Sequence, residues 1–228
     1  MLRQLLRIFR ADDDSPLAVM GRDFGKMLAL ARDNTLAASE IYFRATASPE
    51  ERSHIYAQDV QINKLERVIR RNVVAHLSFP DNHLDAPYCL LLMSLVKDVE
   101  RLGDYAKNLA EVVDIHPGLL PDDDIVEELQ EIRAGVENAL RAVQPIFDAS
   151  DRERALQYIS QGRSLAHRCD VLIARNARSS HDAATTTAIV LGIRYYKRLG
   201  GHVLNVLSSV VMPIDKLDYH DEDAVRRE

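Results

Sequence analysis

The chain has 228 residues, 46% hydrophobic and 28% charged, with a formal net charge of −6. That balance fits a folded globular protein and excludes a disordered one. The acidic sign, with basic residues bunched only at Arg67, Arg70 and Arg71, excludes a general nucleic-acid binder.

The N-terminal MLRQLLRIFR reads as a leader, residues 1–14, with Leu2, Leu5, Leu6 and Phe9 on one side. It is expected to dock on the protein itself; a basic turn lying on a membrane is the alternative. Beyond it, apolar residues recur at helical spacing, and nowhere do they alternate as in a half-buried strand. Ser15-Pro16 suits an N-cap and first-turn proline, opening a helix to about Thr46. Ser48-Pro49 opens a second to about Ser78, with Glu50 and Glu51 in its first turn favouring its dipole. The breaker-rich loop FPDNHLDAP, 79–87, leads into a third helix ending near Ile115.

HPGLLPDDD, 116–124, is the strongest break in the chain and divides it into halves. A fourth helix is expected from about Asp124 to Asp148. Ser150 is expected to cap a fifth reaching Arg178, and a sixth runs from Asp182 to Val211. Helices of 25 to 30 residues are rods of roughly 40 Å, and three joined by short loops make an up-down-up bundle. The reading is therefore all-α: two tandem three-helix bundles, 15–118 and 119–213, and a polar tail, 214–228. Cys89 and Cys169 sit in apolar helical patterns and read as buried, reduced thiols of a cytosolic protein. No run of about 18 apolar residues occurs, so no transmembrane segment is expected.

The third helix of each half repeats one skeleton. VERLGDYAKN, 99–108, is matched by YKRLGGHVLN, 196–205, sharing Arg-Leu-Gly, but Glu100 has become Lys197 and Asp104 has become Gly201. Val96, Val99, Leu102, Ala106, Leu109 and Val113 share one broad apolar face, while Glu100, Asp104 and Glu111 lie roughly opposite. Glu100 and Asp104, one turn apart, repel unless a cation sits between them. Gly103 and Gly200, each costing about 1 kcal/mol mid-helix, suggest close helix approach. In the second helix Asp59 and Asn63 also stand at i and i+4, with Glu66 beyond. Antiparallel packing brings that pair opposite Glu100 and Asp104. Three carboxylates and an amide oxygen, without His or Cys, suit hard cations: Mg²⁺, Mn²⁺, Ca²⁺ or Fe³⁺. A plain solvated polar face remains the alternative.

DVQINKLERVIRR followed by LVKDVERLGDYAKNLAE resembles the PhoU family of bacterial phosphate-signalling regulators. ERLGD, 100–104, with NLAE, 108–111, is similar to the family's third-helix signature, and Asp59 with Asn63 to the acidic-or-amide pair of its second helix. The likeness runs in outline over residues 17 to 212 and is sharp only in the first half. It implies paired three-helix bundles, each with a surface iron or zinc cluster. It also implies restraint of phosphate uptake through contacts with the phosphate ABC transporter and its sensor histidine kinase, in the cytoplasm or peripherally at the inner membrane; a homodimer stays open. The second half departs from this pattern: Ala166, Asp170, Lys197 and Gly201 stand for Asp59, Asn63, Glu100 and Asp104. Metal is therefore expected at Asp59, Asn63, Glu100 and Asp104 and not in the second bundle.

Two other readings compete. A metal-free helical adaptor would carry the same carboxylates as a solvated face. Glu51-Arg52-Ser53-His54 has the ExxH spacing of di-metal oxidases, but those need two such pairs and only one is found. No phosphate loop or nucleophile elbow occurs, so no enzyme is expected. His202 reads as a packed or surface histidine.

Overall fold

The computed structural model describes residues 15–217; the leader and the tail beyond Leu217 lie outside the described residues. Six long helices carry the fold: α1 (Pro16–Arg44), α2 (Pro49–Leu77), α3 (Ala86–Glu111), α4 (Asp124–Ala149), α5 (Arg152–Asn176) and α6 (Ala183–Val211). Short 3₁₀ turns at Pro80–Asp85 and Val112–Asp114 flank α3, and a third at Ile214–Lys216 follows α6. No strand occurs among the described residues.

The starts are set by side chains that accept the free amides of the first turn. Ser15 Oγ accepts from the Ala18 amide, 3.3 Å away. Ser48 forms a reciprocal capping box with Glu51, whose carboxylate also takes Arg44 at 2.6 Å and so ties the end of α1 to the start of α2. These contacts, Arg44 first, hold the Glu51 carboxyl below its ordinary value. One expected cap is corrected. Ser150 ends α4 in the left-handed region, at φ 52°, and the fifth helix is capped instead by Asp151, whose carboxylate accepts from the Arg154 amide. A serine with positive φ cannot be the extended residue an N-cap requires.

Helices α1–α3 form one three-helix bundle and α4–α6 another, and a single hydrophobic core runs through both. Helices α3 and α6, the repeated pair, pack against each other across the middle. Helices α2 and α5 lie outside, each against the two other helices of its own bundle. All six residues of the expected apolar face of α3 are buried. Burial pushes both thiols, Cys89 and Cys169, up to about 11, and they are unpaired. Leu217, within the expected polar tail, is buried against the core.

Polar groups fix how the bundles meet. The Tyr196 hydroxyl of α6 donates to Ser39 Oγ of α1 at 2.7 Å, and Ser39 donates to Glu137 of α4 at 2.7 Å. The carboxylate can only accept, which sets this direction. Arg133 then joins Glu137 to Glu40. Three helices of two bundles share this buried relay.

A second polar contact lies between α3 and α6. Asp98, fully buried, accepts at one carboxylate oxygen from His202 Nδ1 (2.8 Å) and Asn205 Nδ2 (2.9 Å). Its other oxygen has no hydrogen-bond partner. His202 also stacks on Tyr105, with ring centroids 5.7 Å apart, so the packed reading of this histidine is the observed one.

Candidate functional site

Contacts climb the groove between α2 and α3 like rungs, and their order shows the two helices antiparallel. Arg52 pairs with Asp114, Tyr56 donates to Glu111, and Lys107 reaches Asp59. Gly103 faces α2 at close range. A Cβ there would lie 3.0 Å from Ile62 Cδ1 and 3.4 Å from Asp59 Oδ1. The missing methyl makes room both for the core and for the Asp59 carboxylate, so the expected packing reason holds for this glycine. It does not hold for Gly200, whose Cβ would meet only Val136 at an ordinary 3.5 Å.

The antiparallel pairing sets Asp59 and Asn63 across one groove from Asp104, with Glu100 one turn before Asp104 on α3. Asp59 is buried, and Asn63 donates to its Oδ2 at 3.4 Å. Across the groove, Lys107 Nζ lies 3.2 Å from Asp59 Oδ2 and 3.4 Å from Asp104 Oδ1. Arg101 holds the other Asp104 oxygen at 2.8 Å and stands 3.5 Å from Glu100. Partial burial and then the charges of Asp104, Glu66 and Asp59 raise the Glu100 carboxyl above its ordinary value, against the pull of Arg101. Burial works against the charge on Lys107, but its hydrogen bond to Asp59 and the charges of Asp59 and Asp104 outweigh it, so its pKa rises.

Side-chain cations thus already serve these carboxylates: the Lys107 ammonium lies between Asp59 and Asp104, and the Arg101 guanidinium between Glu100 and Asp104. No three His, Cys, Asp or Glu side chains stand together as metal ligands among the described residues. One atom fits a further ligand: Asp59 Oδ1 is buried without a hydrogen-bond partner, a costly state for a carboxylate oxygen.

Elsewhere the expected contrasts appear as side-chain pairs. In the second bundle Lys197 Nζ lies 2.6 Å from both oxygens of Asp170, the one carboxylate left of that set. In the first, Glu51 of the ExxH spacing is engaged by Arg44 and the Ser48 amide, and His54 faces Gln58. Nothing there assembles a di-metal centre.

Residues 24–113 match the family model described as the PhoU domain. No curated protein matches the sequence. Among solved structures, the fold is similar to the phosphate transport system regulatory protein PhoU from Streptococcus pneumoniae. The TM-score is 0.73 at 16% identity, covering 85% of this chain and 92% of that one. PhoU from Pseudomonas aeruginosa gives 0.71 at 20% identity, over 91% and 99%. The matched segment holds all four residues of the acidic groove. The family resemblance seen in the sequence is thus met by a match of residues 24–113 to the PhoU domain model, and the chain as a whole has the fold of these PhoU structures.

Proposed function

We propose that this protein regulates phosphate transport through contacts with other proteins, a phosphate ABC transporter and its sensor histidine kinase among them. The observation that carries the reading is the PhoU domain over residues 24–113, which contains the acidic groove. No helix among the described residues is long and apolar enough to cross a membrane, consistent with a partner of membrane proteins rather than a transporter. Deleting the gene in its host is expected to raise phosphate uptake, or a phosphate-starvation reporter, in phosphate-rich medium. Unchanged uptake and reporter would refute the proposal.

Within it, Asp59, Asn63, Glu100 and Asp104 would hold a metal ion, iron or zinc on the family resemblance, with Mg²⁺ or Mn²⁺ suited by the all-oxygen donors. The ion would take the position of the Lys107 ammonium, and the orphaned Asp59 oxygen supports this. It would supply positive charge that fixes the α2–α3 surface a partner meets. Replacing Lys107 by Ala frees the carboxylates and is expected to tighten Mn²⁺ or Zn²⁺ binding about ten-fold, since two like charges would otherwise compete. Replacing Asp104 by Ala abolishes it. Calorimetric titration of chelated protein reads both; metal content lost on replacing Asp170 but kept on replacing Asp104 would reverse the assignment. The metal-free adaptor is the second reading, favoured by the Lys107 pairing itself, and no titratable binding in either variant would select it.

A further inference from the structure

The second bundle opposes its lost carboxylates with space and positive charge. Between α5 and α6, and reaching α4, lies an open cavity of about 1320 Å³. Ala166 and Gly201, which stand where the first bundle has Asp59 and Asp104, are on its wall. A Cβ on Gly201 would meet nothing within 4 Å. Packing therefore does not require this glycine, a poor helix former; it leaves the groove open.

The wall is basic in a chain of net charge −6. Arg154 of α5 and Arg194 and Arg198 of α6 line it, are exposed, and have no carboxylate partner among the described residues. Arg141, Arg168 and Lys197 line it as well, each paired with a carboxylate. Glu131, the one carboxylate lining the cavity among the described residues, is held by Arg168 at 2.5 Å. Arg194 and Arg198 stand one turn apart, an arrangement whose like charges repel at a cost to the helix. An anion between them would reverse that cost, and guanidinium forks match oxyanions in pairs.

We infer that this groove binds an oligophosphate chain, free or as the tail of a nucleotide. One phosphate ion would fill a small part of the space and engage one helix. A chain of linked phosphates can meet Arg194 and Arg198 together, and a longer one extends along the groove towards Arg154. This reading rests on the second bundle alone and holds whether or not the protein regulates phosphate transport.

Calorimetric titration of the full chain with tripolyphosphate, ATP and a hexaglutamate peptide tests it. Binding of tripolyphosphate or ATP at one site per chain is expected; ATP alone assigns the nucleotide as source, and tripolyphosphate alone or both assign the chain. The double variant Arg194→Gln/Arg198→Gln, both exposed positions, should weaken that binding about ten-fold or more. Gly201→Leu, which fills open space, should abolish it while thermal melting shows a folded protein. No binding of either phosphate compound, binding of the peptide alone, or undiminished affinity in both variants would overturn the inference.

Discussion

Replacing His202 by alanine is expected to destabilise the protein by about 1.5–3 kcal/mol, the cost of taking one hydrogen-bond donor from a buried carboxyl group. Asp98 is fully buried, and its two donors act on one oxygen while the other has none. Without the imidazole, only the Asn205 amide remains to compensate the carboxylate. The loss exceeds the roughly 0.2–1 kcal/mol typical of exposed pairs. Urea denaturation measures it. The double variant Asp98→Leu/His202→Leu is expected to recover part of the loss, because it removes the buried carboxylate along with its partner and leaves only the Asn205 amide without an acceptor. A coupling energy under about 0.5 kcal/mol in the double-mutant cycle would show that the pair is incidental to the seam.

The second large effect is expected at Gly192. An alanine methyl there would sit 2.2 Å from the Tyr42 hydroxyl and 2.5 Å from the ring carbon that bears it. Tyr42 cannot readily retreat. Its hydroxyl donates to the Ala188 carbonyl at 3.0 Å, and its ring packs edge-on against Phe43 and Tyr196. Gly192→Ala must therefore separate α1 from α6 or break that hydrogen bond, an overpacking cost of about 3 kcal/mol. For a chain of this size that lowers Tm by roughly 6–12 °C. Tyr42→Leu in the same chain should restore most of it by removing the ring's far end. A Gly192→Ala variant melting within about 2 °C of the parent would mean the helices part without strain.

Much of the fold is written locally. Ser15-Pro16 and Ser48-Pro49 mark starts because a proline at the first turn gives up an amide that has no partner there, and the serine oxygen accepts another. Where two polar residues adjoin, as at Ser150-Asp151, local pattern could not say which carries the left-handed turn and which the cap. The acidic groove is legible because i and i+4 spacing on two antiparallel helices sets Asp59 and Asn63 across from Asp104. Which cation sits there is not. Lys107 belongs to the group because it reaches across to α2, and helix spacing describes only neighbours along one rod. Asp98 met His202 from over a hundred residues away, and no periodicity encodes such a contact. Gly192 carries no sequence mark distinguishing it from Gly201, although one is forced by a tyrosine and the other faces open space.

The seam between α3 and α6 also has the form of an approximate two-fold axis. The offset that matches Arg101 with Arg198 matches Asp98 with Tyr195, and Tyr105 with His202. The contact of Asp98 with His202 thus has a mirror partner in that of Tyr195 with Tyr105, whose rings lie 6.1 Å apart. In an assembly of identical halves, a residue pair across such an axis occurs twice. Here the two occurrences have diverged, one polar and one aromatic. Two copies of the first half would set Asp98 against Tyr105 on both sides of the axis, burying two carboxylates without the imidazole. Joining the halves in one chain is what allows each side of the axis its own chemistry, so the recognition that pairs the bundles is heterologous in content though symmetric in shape.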